Sequence, residues 1–123
     1  MSKRVLVIDD EDDIREVAQL SLEAVAGWEV YSASSGSEGL RVAAEQMPDA
    51  ILLDVMMPEM DGYETTQAIR QMEEFHELPI ISLTAKAMKG DREKSIASGA
   101  SDYITKPVDT DQLLSLMRVW LYR

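Results

Sequence analysis

The chain has 123 residues, 46% of them hydrophobic, enough for one ordinary domain with a real core and too apolar for a disordered one. Cysteine is absent, which excludes a disulfide framework, a thiol nucleophile and a thiolate metal site, and no apolar run approaches the ~18 residues of a membrane span. The net charge of −11 repels a nucleic acid backbone, so no direct nucleic acid contact is expected.

Met1-Ser2-Lys3-Arg4 opens no signal-peptide apolar segment, in keeping with a cytoplasmic protein. Val5-Leu6-Val7-Ile8 is a continuous β-branched run and reads as a strand buried on both faces. From Asp12 the period changes: Ile14, Ala18, Leu22 and Val25 fall at helical spacing, acids sit at the N-terminal end, and Gly27 is the stop. Residues 29–33 form a half-polar strand suited to a sheet edge. Gly36 opens a second helix with Leu40, Ala43, Ala44 and Met47 as its stripe, ended by Pro48. Ala50-Ile51-Leu52-Leu53 is another buried-type strand, followed by a loop over 54–62 in which Asp61-Gly62 is a turn. Thr65, Ala68, Ile69, Met72 and Phe75 make a third stripe, and Pro79 starts a fourth strand over 79–83. Residues 91–98 look helical, stopped by Gly99, with a thin stripe of Ile96 and little else. A short strand over 102–104 precedes a strong final stripe of Leu113, Leu114, Met117, Trp120 and Leu121. The eight methionines read as core filling, and the single histidine, His76, as a solvated loop residue.

The pattern is a strand–helix unit repeated five times, which argues for an α/β fold with a parallel sheet and helices on both faces. No linker, repeat or low-complexity segment appears, so one domain over 1–123 is expected, with no effector domain. The charge is uneven: residues 1–62 hold 14 acidic and 4 basic side chains, residues 63–123 hold 9 and 8. Acid concentrated in one half serves either solubility or a cation site.

In parallel sheets functional groups gather at the carboxyl ends of the strands. Here the first strand runs into Asp9-Asp10-Glu11, the third into Asp54, the fourth into Thr84-Ala85 and the fifth into Thr105-Lys106-Pro107. Right-handed crossovers and a reversal of strand order bring Asp9, Asp10 and Asp54 to one crevice. Three carboxylates repel one another unless a cation sits among them, and hard oxygen ligands that leave room for water suit Mg²⁺. Lys106 and Thr84 add an ammonium and a hydroxyl. The set suits an incoming phosphoryl dianion with a carboxylate as attacker.

From Val5–Glu11 through Leu53-Asp54-Val55-Met56-Met57-Pro58 and Leu83-Thr84-Ala85 to Tyr103-Ile104-Thr105-Lys106-Pro107, the whole chain resembles the receiver domain of two-component response regulators. The resemblance implies a flavodoxin-like, doubly wound sheet of order 2-1-3-4-5. It implies Asp54 as phosphoacceptor, and Mg²⁺ held by Asp9, Asp10, Asp54 and the backbone carbonyl of Met56. Thr84 and Lys106 would contact the phosphoryl group, with a cis peptide between Lys106 and Pro107, and Thr84 with Tyr103 would form the switch. Met56 and Lys86 flank the approach of a hydrolytic water and are expected to lengthen the phosphoform's lifetime. The donor would be a phosphohistidine on a sensor histidine kinase or histidine phosphotransfer protein. Output would pass by protein contacts on the face of the fourth helix, fifth strand and fifth helix to a target the sequence does not name. The domain would be a monomer or weak homodimer, act away from membranes, and catalyse only transfer to, and hydrolysis from, its own aspartate.

Two rivals share parts of this pattern. A phosphatase of the haloacid-dehalogenase type needs a second Asp two residues after its nucleophile, where this chain has Met56. A flavodoxin-like electron carrier needs a Ser/Thr/Gly phosphate loop after its first strand, where this chain has Asp9-Asp10-Glu11-Asp12-Asp13.

Overall fold

Two uninterrupted apolar runs, β1 (Arg4–Ile8) and β3 (Ala50–Asp54), pair in parallel near the middle of a five-stranded sheet. This computed structural model describes residues 3–57, 59–84 and 90–122. The half-polar β2 (Glu29–Ala33) takes one edge, β4 (Ile80–Thr84) follows β3, and β5 (Asp102–Thr105) takes the other edge, giving the parallel order β2-β1-β3-β4-β5. Because side chains alternate along a strand, one run supplies both cores. Val5 and Val7 face a cluster with Ala18 and Leu22 of α1 (Asp12–Ala26) and Leu113, Leu114 and Met117 of α5 (Thr110–Leu121). Leu6 and Ile8 face the opposite cluster, with Ala43 of α2 (Gly36–Gln46) and Ile69 of α3 (Gly62–Arg70). A short 3-10 turn, Glu73–Phe75, leads to β4, and α4 (Asp91–Ala97) packs beside β5. No helix among the described residues is long and apolar enough to cross a membrane.

Helix ends follow the expected chemistry. Asp61 is the N-cap of α3, its carboxylate accepting the Glu64 N–H at 2.9 Å. Gly27 ends α1 in the left-handed region, φ 71°. His76 is exposed beyond the 3-10 turn.

Several stripe residues differ from their sequence-based placement. Val25 is 63% exposed, because α1 turns its i+4 row Ile14-Ala18-Leu22 inward and Val25 falls off that row. In α2 the buried row is Gly36-Gly39-Ala43, so Ala44 is exposed and Met47 caps the helix in the left-handed region with its side chain half in water. The third stripe holds, but the helix stops at Arg70 and its last members, Met72 and Phe75, enter the core through the 3-10 turn. Ile96 is 46% exposed, and α4 buries Ser95, with its C-cap Ser98, instead. The methionines divide: Met57 and Met117 fill core, whereas Met47 and Met56 lie exposed.

Arg70 makes a tie that no periodicity announced. Its guanidinium donates to the carbonyls of Gly99 and Phe75, each at 2.8 Å, and to Ser101 Oγ at 3.3 Å, joining the end of α3 to the turn before β5. Burial lowers its pKa from the ordinary value.

Candidate functional site

The hydrogen-bond ladder runs one residue past each strand end and fixes the backbone of the residues that matter. Asp9 N–H donates to Ala33 O at 3.1 Å, Val55 N–H to Leu83 O at 3.0 Å, and Lys106 N–H to Thr84 O at 2.6 Å. The register Ile8↔Leu53 sets Asp9 and Asp54 side by side. Both side chains are sealed from water, at 0% and 1% exposure, while Asp10 stands at the rim. Carboxylate oxygens of Asp9, Asp10 and Asp54 lie within 4.8 Å of one another.

Asp9 Oδ1 accepts the Glu11 N–H at 2.9 Å, and Asp54 Oδ1 accepts the Met56 N–H at 3.2 Å. The Oδ2 atoms of both are buried and accept no hydrogen bond among the described residues. Lys106 Nζ stands 3.4 Å from Asp54 Oδ1 and 3.5 Å from Asp9 Oδ2. Its shortest partner is Glu11 Oε1, at 2.8 Å. The Lys106–Pro107 peptide bond is cis.

Electrostatics follow from burial without enough partners. Desolvation, aided by the negative charge of Asp9, pushes the Asp54 carboxyl up to about 7 against the pull of Lys106. Asp9 is raised for the same first reason, opposed by the Glu11 N–H and Lys106. Burial disfavours the charge on Lys106, but the Glu11 hydrogen bond and the Asp54 and Asp9 carboxylates together outweigh it and raise that pKa. Three carboxylates with two orphaned buried oxygens form a hard, anionic donor set, which a divalent cation such as Mg²⁺ fits.

Thr84 is buried, and its Oγ1 has no partner among the described residues. Its cross-strand partner is Thr105, and Ser82 pairs with Tyr103, so Thr84 and Tyr103 share a sheet face two residues apart along the strands. Tyr103 is half-buried and lines a cavity of about 490 Å³ with Thr105 of β5 and Gln112, Leu116 and Val119 of α5. The structure thus gathers Asp9, Asp10, Asp54 and Lys106 directly and places Tyr103 on the edge strand β5, where it also lines the groove against α5. Met56 reaches Asp54 with its backbone N–H, and the residue is 69% exposed. Lys86 lies outside the described residues, as do Ala85 and Pro58.

Two contributors escaped the sequence reading. Gly62 is more than a turn residue: a Cβ there would stand 2.3 Å from Asp54 O and 2.6 Å from Val55 Cα, so α3 begins against the backbone of the buried aspartate. Glu11 was visible in the acidic run, but its lysine partner is 95 residues away and no spacing rule links them.

Residues 5–118 match the family described as response regulator receiver domain. The DNA-binding dual master transcriptional regulator RpaA of Synechocystis is 38% identical over 120 residues, which is 98% of this chain and 49% of RpaA; the chain spans about half the length of that relative. Chemotaxis protein CheY4 of Vibrio cholerae superposes with a TM-score of 0.93 at 32% identity, over 98% of this chain and 100% of CheY4. The receiver domain of the Pseudomonas aeruginosa sensor histidine kinase PA1611, solved with a magnesium ion coordinated in its active site cleft, superposes with a TM-score of 0.91 at 33% identity, over 100% of both chains. These matches lend no support to the phosphatase or electron-carrier readings. With the strand order and nearly the whole chain following one family, the protein belongs to the response regulator receiver domains, the phosphoacceptor modules of two-component signalling.

Proposed function

We propose that Asp54 is the phosphoacceptor, taking a phosphoryl group from a phosphohistidine on a sensor histidine kinase or histidine phosphotransfer protein. The observation that carries this reading is the pair of orphaned carboxylate oxygens, on Asp9 and Asp54, beside the Lys106 ammonium. A carboxylate oxygen of Asp54 attacks phosphorus, a P–O bond forms, and the P–N bond breaks with its electron pair leaving on the imidazole nitrogen. Asp54 must be ionised to attack; a pKa pushed up to about 7 leaves it only partly ionised at neutral pH, and a cation beside it favours the charged form. Asp9, Asp10, Asp54 and the Met56 carbonyl would hold Mg²⁺, which when bound neutralises charge on the phosphoryl oxygens. Lys106 supplies a second positive charge. The Thr84 hydroxyl, which has no partner among the described residues, supplies a donor, and its movement toward the phosphoryl group leaves space for Tyr103.

Output passes through the face made by α4, β5 and α5. That α4 and its C-cap bury Ser95 and Ser98 rather than apolar side chains, the Ser95 hydroxyl having no partner among the described residues, supports an element of low local stability there. A cytoplasmic setting, output to a protein target and absence of direct nucleic acid contact belong to the same reading; the last rests on the charge of −11. So does the restriction of chemistry to the chain's own aspartate.

The test is beryllofluoride, a phosphoryl mimic. It should bind in the presence of Mg²⁺ and be lost both on adding EDTA and in Asp54→Ala. Binding that survives either change rejects the assignment.

A further inference from the structure

Glu11 is the N-cap of α1, a position where a short side chain such as Ser or Asp serves best. Its side chain makes no capping bond among the described residues. It reaches instead to the end of β5, where Oε1 accepts Lys106 Nζ at 2.8 Å. The same ammonium stands 3.4 Å from Asp54 and 3.5 Å from Asp9. Lys106 is thus shared between one rim carboxylate, 58% exposed, and two sealed ones, and the rim carboxylate is the closest. Among the described residues the Oδ2 atoms of the sealed pair accept no hydrogen bond.

An ammonium and a divalent cation compete for the same carboxylates. A lysine with no partner at the rim would settle on Asp54 and Asp9, the nearest remaining anions, and oppose metal entry. Resting on the reading of Asp54 as phosphoacceptor, we propose that Glu11 is a positioning residue: it biases the Lys106 ammonium outward, 2.8 Å from Glu11 and 3.4 to 3.5 Å from Asp54 and Asp9, so that the lysine pairs with the sealed carboxylates without closing on them and leaves room for a divalent cation until an anion on Asp54 draws it inward. The pair itself adds little to stability, since Glu11 is largely in water. Its effect is on where the charge sits.

The test is a Mg²⁺ titration of the metal-free protein, followed by amide chemical shifts, for wild type, Glu11→Gln, Lys106→Met and the double variant. Glu11→Gln should weaken Mg²⁺ binding about fivefold when Lys106 is present and less than about twofold in the Lys106→Met background, the coupling expected of two groups in contact. Equal weakening in both backgrounds would make Glu11 a distant charge or a metal ligand in its own right and overturns the proposal, as does no weakening at all. The Lys106 Nζ resonance of metal-free Glu11→Gln gives an answer that needs no lysine variant: it should shift from its wild-type position, and an unchanged resonance overturns the proposal. Failure of the acceptor reading is separate, because it is read as beryllofluoride binding in Asp54→Ala, whereas all these proteins keep Asp54.

Discussion

The two ends of the sheet are built from the same strands and differ in how their polar groups are treated. At the amino end, Arg4 donates from its backbone to Asp49 at 2.8 Å and from its guanidinium to Gln46 O at 2.9 Å and Glu29 at 3.2 Å. Trp28 Nε1–H donates to Tyr122 Oη at 2.9 Å, and Lys3 lies over the Tyr122 ring. The charges there face water and the buried indole has its partner. At the carboxyl end two carboxylates and a threonine hydroxyl are sealed in without full satisfaction. A buried polar atom without a partner costs about 1–3 kcal/mol, more when charged. The amino end closes the fold; the carboxyl end holds a local instability that a cation and a phosphoryl group can relieve.

Two glycines measure this difference most strongly. Gly62 begins α3 against the backbone of Asp54 and Val55, so the clash in Gly62→Ala meets main chain that cannot rotate away. Denaturant unfolding should show a loss of about 3 kcal/mol. Gly27, at the amino end, has open space around it and only a left-handed φ of 71° to satisfy, so Gly27→Ala should lose about 1 kcal/mol. Similar losses at the two sites would refute the claim that the acceptor loop is the more tightly constrained end.

A substitution at the carboxyl end should do the opposite. Asp54 has a folded-state pKa of about 7 against an ordinary 3.8. Between those values the folded protein binds more protons than the unfolded one, so metal-free stability falls as pH rises from about 4 to about 7 and then levels off. Asp54→Asn removes that contribution. It should be more stable than wild type by about 2 kcal/mol at pH 8, equal to it near pH 3.5, and no longer favoured once Mg²⁺ is added to both. The measurement is urea unfolding across pH, with and without Mg²⁺. A wild type whose metal-free stability rises through this window would contradict the burial argument.

How much of this was legible in the sequence divides along the same line. The strand–helix alternation, the apolar runs of β1 and β3 and the acids at strand ends are short-range patterns, and each carried through to the sheet and the Asp9–Asp10–Asp54 cluster. What escaped was set by distance in the chain or by which side of a helix meets the sheet. Glu11 finds a lysine 95 residues away, and Gly62 matters for a Cβ it lacks. Ile96 and Val25 fit helical periods, yet α1 turns its Ile14-Ala18-Leu22 row inward and the α4 segment buries Ser95 and Ser98.

The rim of the carboxyl end offers a sharper probe, of rate rather than stability. Met56 exposes an apolar side chain two residues after Asp54, where it cannot hold an attacking water by hydrogen bonds. A Met56→Asn, Lys86→Glu double variant supplies polar groups that can. Under saturating Mg²⁺ the phosphorylated form should hydrolyse about tenfold faster than wild type, a barrier lower by roughly 1.4 kcal/mol. Phosphate release after phosphorylation with a small-molecule donor measures it. An unchanged or slower rate would mean that residues 56 and 86 do not govern water access.

The smallest effect is expected where the partners are most complete. Arg4→Gln at the amino end loses an ion pair in which both side chains are about half exposed, 47% and 54%. Such pairs contribute a few tenths of a kcal/mol, and salt screens them further. The backbone N–H of residue 4 still reaches Asp49, so the β1 entry stays anchored. Unfolding free energy should drop by no more than about 0.5 kcal/mol, with the difference shrinking at high salt. Mg²⁺ affinity should be unchanged within about twofold, since the Debye length is ~8 Å at physiological ionic strength and the whole of β1 separates Arg4 from Asp9. That second number is the informative one. A larger shift in metal binding would mean that the amino end reports to the carboxyl end through the strand itself, and the two ends would then have to be treated as one coupled device.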